Sequence, residues 1–304
     1  MSIKRDLLLN GILPPVTTPF AGDQSVDMDA LAENIARYNS TGLVGYVALG
    51  SNGEAVHLTP DERTRVIETI KRNAAPGMTI VAGVNELSTR VAVEACHRAA
   101  DAGADCVLVI TPYFYKSSMT SEALTRHFIE VADHSPVPVL LYNVPQNTGV
   151  VIDSATIASL AEHPNIIGVK DSSGNMGGIC ETIRRSPADF AVMTGNGGIL
   201  YPSLSMGARG AILGVACAAP RACVEIYKAF ESNDHAKARD LQNRLAPVSH
   251  IVTAGLGIAA LKVAMEMTGF MGGPTRLPLT PLKPEDKEKV KTVLRESGLF
   301  PDLE

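Results

Sequence analysis

Lys170 stands directly after the apolar run Ile166-Ile167-Gly168-Val169. A lysine at the edge of an apolar interior loses hydration of its ammonium form, and such burial lowers its pKa and frees a neutral amine near pH 7. That amine attacks a ketone to give a carbinolamine and then an imine, an electron sink for making or breaking the neighbouring bond. Without burial the same residue is a strand-end lysine that reaches solvent, and the run alone leaves both readings open. Tyr142 ends a second apolar run, from Pro138 to Leu141. A phenol there could pass protons to and from a carbinolamine oxygen, or it could pack its ring at a rim and bond its hydroxyl to backbone. Gly50-Ser51-Asn52-Gly53-Glu54 is a turn bracketed by glycines. Its N–H groups could bind a carboxylate and the Ser51 hydroxyl could extend a relay from Tyr142, although an ordinary strand-to-helix turn has the same composition.

Other chemistry finds less support. Gly195-Asn196-Gly197-Gly198 fits a phosphate or carboxylate cradle and a tight turn equally well. The seven histidines show no His-x-His, His-x-x-x-His or His-Glu-x-x-His spacing, so neither a catalytic metal nor another cofactor is expected. His57, His97 and His127 fall in helical patterns or their starts and read as structural or exposed. With no Gly-x-Ser-x-Gly elbow and no P-loop, a serine hydrolase and an NTPase lose support. The net charge of −5 is spread along the chain without a basic block, which argues against nucleic acid as a partner. Five scattered cysteines without a Cys-x-x-Cys pair suit a reducing cytoplasm better than a disulfide framework. No apolar run has the length of a membrane span and no signal peptide is read before Asn10, so a cytoplasmic protein is expected.

The elements that must position these residues follow from the hydrophobic pattern. Short β-branched runs at 11–16, 44–49, 79–84, 106–111, 138–143, 166–170, 190–194 and 210–214 alternate with longer amphipathic ones, the pattern of a parallel sheet covered by helices. Met28, Leu31, Ile35 and Tyr38 share one helical face, and Thr59-Pro60-Asp61-Glu62 supplies an N-cap, a first-turn proline and early acids. Ser88 and Asp153 look like further helix starts. Eight such units predict an α/β fold, a closed (β/α)₈ TIM barrel, over residues 1–220. The open doubly wound rival lacks its Gly-x-Gly-x-x-Gly turn after the first strand. Residues 221–304 read as helices alone, at 221–230, 235–250, 257–267 and 284–297, broken by a proline- and glycine-rich loop at 272–284. This C-terminal helical extension is expected to pack on the barrel. In such a barrel the strand C-termini converge, bringing Ser51, Tyr142, Lys170 and the 195–198 glycines to one mouth.

These segments resemble a known family. Gly50-Ser51-Asn52-Gly53-Glu54 followed by Leu58-Thr59-Pro60-Asp61-Glu62-Arg63 is similar to the first signature of the dihydrodipicolinate synthase / N-acetylneuraminate lyase family. Tyr142-Asn143-Val144-Pro145 through Gly149, then Gly168-Val169-Lys170-Asp171-Ser172-Ser173-Gly174, looks like its second signature. Gly272-Gly273-Pro274 with Arg276-Leu277-Pro278-Leu279 is similar to its C-terminal segment, so the resemblance spans essentially the whole chain. It implies a class I carbon–carbon lyase acting on pyruvate or another 2-oxo acid, with Lys170 as Schiff-base lysine, Tyr142 as proton shuttle and Ser51 as relay hydroxyl. Asn52 and Ile212 fall where the family contacts the pyruvate moiety, and a homotetramer built as a dimer of dimers is implied.

Two departures shape the expected reaction. Where the synthases carry the arginine of Pro-x-Arg-Thr-Gly, this chain has Asn147 in Pro145-Gln146-Asn147-Thr148-Gly149. An amide cannot make the bidentate charge-assisted pair that a guanidinium makes with a carboxylate. The expected activity is therefore closer to a 4-hydroxy-2-oxoglutarate aldolase, giving pyruvate and glyoxylate. A synthase condensing pyruvate with aspartate semialdehyde is the alternative, and a non-catalytic 2-oxo-acid binder is a third reading. In Thr111-Pro112-Tyr113-Phe114-Tyr115, Phe114 stands where the family's relay tyrosine is usual and cannot carry a proton. Either Tyr113 or Tyr115 takes that role or the relay stops at Ser51.

Overall fold

A computed structural model describes residues 9–301 and 303. The eight apolar runs form eight strands: β1 Gly11–Leu13, β2 Gly45–Ala48, β3 Thr79–Val84, β4 Cys106–Ile110, β5 Val139–Asn143, β6 Ile166–Asp171, β7 Ala191–Thr194 and β8 Gly210–Ile212. All neighbouring pairs from β2 through β8, and β8 with β1, are parallel. The ring closes between β1 and β2, where Val16 N donates to Val47 O at 2.9 Å and Val47 N donates to Pro14 O at 3.0 Å. The expected (β/α)₈ barrel is therefore present.

The strands are buried on both faces, which is why they read as continuous apolar runs rather than alternating ones. Leu13, Val47, Val81, Leu108, Leu140 and Met193 fill the barrel interior, while Val107, Val109, Leu141 and Val169 face the helix layer. Leu141 and Val169 point outward, so Tyr142 and Lys170, one residue further along each strand, point inward.

The helices begin where the caps dictate. Asp27 accepts from Ala30 N to start Met28–Tyr38, and Thr59 and Glu62 form a reciprocal capping box on Pro60–Asn73. Ser88 and Asp153 cap Thr89–Asp101 and Ser154–Leu160. After β8 come Pro220–Glu231, His235–His250, Gly257–Met267 and Pro284–Ser297. Pro220–Glu231 packs against β1 as well as against His235–His250. Between the second and third of these helices the chain makes a wide π-turn, Ile251–Gly255, closed by Leu256 N donating to Ile251 O at 2.9 Å. No helix among the described residues is long and apolar enough to cross a membrane.

Of the three histidines read as structural or exposed, His97 is exposed and His57 partly buried, whereas His127 is buried between helices Thr89–Asp101 and Ser121–His134. Its Nδ1 lies 2.9 Å from Thr89 Oγ1, and burial pushes the imidazole from 6.5 down to about 4. The unfolded chain binds this proton first on acidification, so the folded state is disfavoured as pH falls. The stability attached to a neutral His127 is fully present above about pH 6.5 and is lost between about 6.5 and 4, a loss of up to about 3 kcal/mol. Urea unfolding should show the wild type losing stability across that window faster than His127→Gln, which can still bond Thr89. Parallel curves would refute this assignment.

Candidate active site

Tyr142 and Lys170 are direct register partners across β5 and β6. Both are only 4% exposed, so the site lysine is a buried one. Lys170 Nζ lies 4.3 Å from the centre of the Tyr142 ring, and the Tyr142 hydroxyl lies 3.3 Å from Ser51 Oγ on the turn after β2. Burial pushes the Tyr142 phenol up. The Lys170 charge and hydrogen bonds from Ser51, Lys170 and Ser172 outweigh it and hold the phenol below its usual range. A phenol shifted toward neutrality is a better proton carrier near pH 7 than a free one.

These groups open into a cavity of about 660 Å³ at the C-terminal mouth of the barrel. Ser51, Asn52, Asn147 and Ile212 all line it, as do Gly195, Asn196, Gly197 and Gly198. The six residues singled out by the sequence thus share one space. The glycine segment is a tight turn, Gly197–Ile199 capped by Asn196, and it forms part of the cavity wall. Ser51–Gly53 is a single 3₁₀ turn whose Gly53 and Glu54 amides close it at 2.9 and 3.2 Å. The Ser51 and Asn52 amides lead the turn and have no partner within it.

At three glycines of the cavity wall an added side chain would press on neighbouring side chains. A Cβ on Gly195 would lie 1.9 Å from Ser172 Oγ and 3.1 Å from Lys170 Cε, one on Gly197 2.6 Å from Ser249 Oγ, and one on Gly214 2.5 Å from Asn52 Nδ2. Behind the mouth, Asn143 Nδ2 donates to Asp171 Oδ2 at 2.7 Å, and Asn143 Oδ1 accepts from Ile152 N at 3.1 Å. Asp171 Oδ1 accepts from the backbone and hydroxyl of Ser173. This network fixes the ends of β5 and β6, and with them Tyr142 and Lys170.

The sequence did not point to the far wall, where Ser249, His250 and Thr253 line the same cavity from the C-terminal helices. The one local signal was Pro247 inside the His235–His250 pattern, which precedes the π-turn. Ser172, two residues after Lys170, lines the cavity as well. No group of three or more His, Cys, Asp or Glu able to hold a metal occurs among the described residues. Phe114 and Tyr115 are each 71% exposed and outside this cavity; Tyr113 lines a smaller one of about 230 Å³ with Ser51 and Asn147.

Comparison with known proteins places this geometry. The model of the dihydrodipicolinate synthetase family matches residues 8–297. The 4-hydroxy-tetrahydrodipicolinate synthases of Methanothrix thermoacetophila and Neisseria gonorrhoeae are 36% and 37% identical, over 97% and 96% of this chain and 100% and 99% of theirs. The solved dihydrodipicolinate synthase of Acinetobacter baumannii, complexed with pyruvate, superposes with a TM-score of 0.90 at 34% identity, covering 96% of this chain and 99% of that one. A prophage protein of the same family from E. coli, also in complex with pyruvate, superposes with a TM-score of 0.89 at 29% identity over 96% and 99%. A buried lysine beside a tyrosine at the mouth of a barrel is thus found in a chain that belongs to the dihydrodipicolinate synthetase family, a family of class I aldolases and lyases.

Proposed function

We propose that this enzyme forms a Schiff base between Lys170 and pyruvate, or another 2-oxo acid, and cleaves or makes the adjacent carbon–carbon bond. The observation that carries this is a buried Lys170 whose Nζ lies over Tyr142, itself 3.3 Å from Ser51. The amine adds to the ketone carbon, the oxygen takes a proton from Tyr142, and the nitrogen returns one to Tyr142, giving the carbinolamine. A second proton to that oxygen expels water and leaves the imine. In cleavage, Tyr142, left as the phenolate, takes the proton of the hydroxyl on the departing carbon as the bond beyond the neighbouring carbon breaks and its electrons enter the protonated imine. The aldehyde departs, the enamine carbon takes that proton back, and water hydrolyses the imine to free pyruvate and Lys170. Tyr142 and Ser51 move these protons, while the Ser51 and Asn52 amides and the backbone at Ile212 hold the carboxylate.

The substrate is a 4-hydroxy-2-oxoglutarate type of acid, cleaved to pyruvate and glyoxylate. Asn147 supports this, since the cavity wall offers an amide where a synthase would offer a guanidinium. Condensation of pyruvate with aspartate semialdehyde is the second reading, favoured by the names of the 36–37% identical relatives. Barrel and C-terminal helices act as one unit around this cavity. The same proposal includes a homotetramer, in which exposed Phe114 and Tyr115 meet a second copy. A 27% identical relative of TM-score 0.91 is described as a monomeric variant, so sedimentation must decide this for the present chain.

Pyruvate with borohydride should add one reduced adduct per chain, mapped by mass spectrometry to Lys170; an unmodified protein, or an adduct elsewhere, would sink the proposal and leave a non-catalytic binder. Pyruvate release from a panel of 4-hydroxy-2-oxo acids, run beside condensation with aspartate semialdehyde, then separates aldolase from synthase. Asn147→Arg should raise the condensation; a wild type that already condenses efficiently favours the synthase. Tyr142→Phe should lower kcat by about 10²- to 10⁴-fold, the usual range for a lost proton carrier. Gly195→Ala should strongly reduce both adduct yield and kcat, because its methyl displaces Ser172 and crowds Lys170. Unchanged adduct formation in that variant would contradict the geometry.

A further inference from the structure

The turn carrying Ser51 begins and ends in unusual backbone. Leu49 has φ 56° and Glu54 has φ 52°, so two of the four non-glycine residues with positive φ among those described bracket these few residues. Neither is Asn or Asp, the types that tolerate this region best, and something must hold the turn in place. The Glu54 side chain is almost fully buried, with Oε1 2.7 Å from Lys262 Nζ, an ammonium equally buried on helix Gly257–Met267. Its Oε2 accepts from Arg276 N at 3.0 Å and lies 3.4 Å from His57 Nδ1. Lys262 also donates to Thr18 O at 2.9 Å and to Pro274 O at 2.7 Å, while Thr18 Oγ1 donates to Gly53 O at 2.7 Å. Arg276 bonds both Glu62 oxygens and the carbonyl of His57, on the far side of the same turn.

We infer that Glu54 is a positioning residue for the reaction: its ion pair with Lys262 holds the strained turn so that the Ser51 hydroxyl meets Tyr142. The C-terminal helices thereby act on the chemistry through this turn, in addition to walling the cavity. This rests on the reading that Ser51 relays protons at a Lys170 imine, and it adds a carboxylate that never touches substrate. A pair that merely fastens helix to barrel would matter equally whether or not Ser51 is present.

That difference defines the experiment. Wild type, Glu54→Gln, Ser51→Ala and the double variant are compared for the rate at which pyruvate methyl protons exchange for deuterium, followed by NMR. This reaction needs the imine and its proton relay but no second substrate. Thermal melts and borohydride trapping are run on all four. Glu54→Gln should slow exchange at least tenfold in the wild-type background and less than twofold in the Ser51→Ala background. Glu54→Gln/Lys262→Met, which removes both buried charges together, carries the same comparison if the single variant does not fold. Equal factors in the two backgrounds, or an undiminished rate in Glu54→Gln, overturn the positioning role while leaving the Schiff base intact. A wild type that pyruvate and borohydride fail to label removes both readings.

Discussion

A parallel strand satisfies its backbone N–H and C=O groups only through neighbours on both sides, and an eight-stranded sheet buried on both faces has no edge it can leave to water. Pairing β1 with both β8 and β2 meets that demand. The meeting of Tyr142, Lys170 and Ser51 follows from this closure. Once closed, the sheet has one rim formed by all the strand C-termini, and the inward residue nearest each end faces a common space. Tyr142 and Lys170 meet because β5 and β6 are in parallel register, and Ser51 meets Tyr142 because β2 returns to the same rim.

The second constraint is the burial of charge. Two lysines are almost completely buried, and the fold treats them differently. Lys262 has a carboxylate and two carbonyl oxygens around its ammonium, together with the Phe20 ring 4.5 Å away. Burial still pulls its pKa below the usual range, with Glu54 opposing the shift. Removing one partner of such a pair typically costs about 3–5 kcal/mol, because the other charge is left uncompensated. Lys170 instead faces a phenol and an open polar cavity. One environment surrounds the side-chain nitrogen with protein oxygens, and the other leaves it facing open space.

Backbone strain is concentrated where the chemistry needs a fixed direction. Left-handed backbone at a residue such as Leu49 or Glu54 costs on the order of 1–3 kcal/mol and persists only where its surroundings over-determine it. Here the surroundings are a buried ion pair, the Thr18 hydroxyl and Arg276 spanning from the 272–284 loop to helix Pro60–Asn73. Side chains of the barrel and of the C-terminal segment thus meet around the turn after β2.

Much of this was legible in the chain. Continuous β-branched runs gave the strands, and Asp27, Thr59, Ser88 and Asp153 marked helix starts, because caps and periodicity are local properties. Residues ending the apolar runs gave Lys170, Tyr142 and Ser51, since a barrel sends strand ends to one rim. Ser249, His250 and Thr253 were not legible, because nothing local says that a distant helix will wall the cavity. The two lysines make the division plain. Lys262 follows Ala259-Ala260-Leu261 much as Lys170 follows its own apolar run, and the pattern by itself ranks them alike. The sequence by itself left open whether either would be buried or reach solvent, and the structure buries both. Only the tertiary structure decided which meets a carboxylate and which a phenol, because those partners arrive from remote segments through the closure of the barrel.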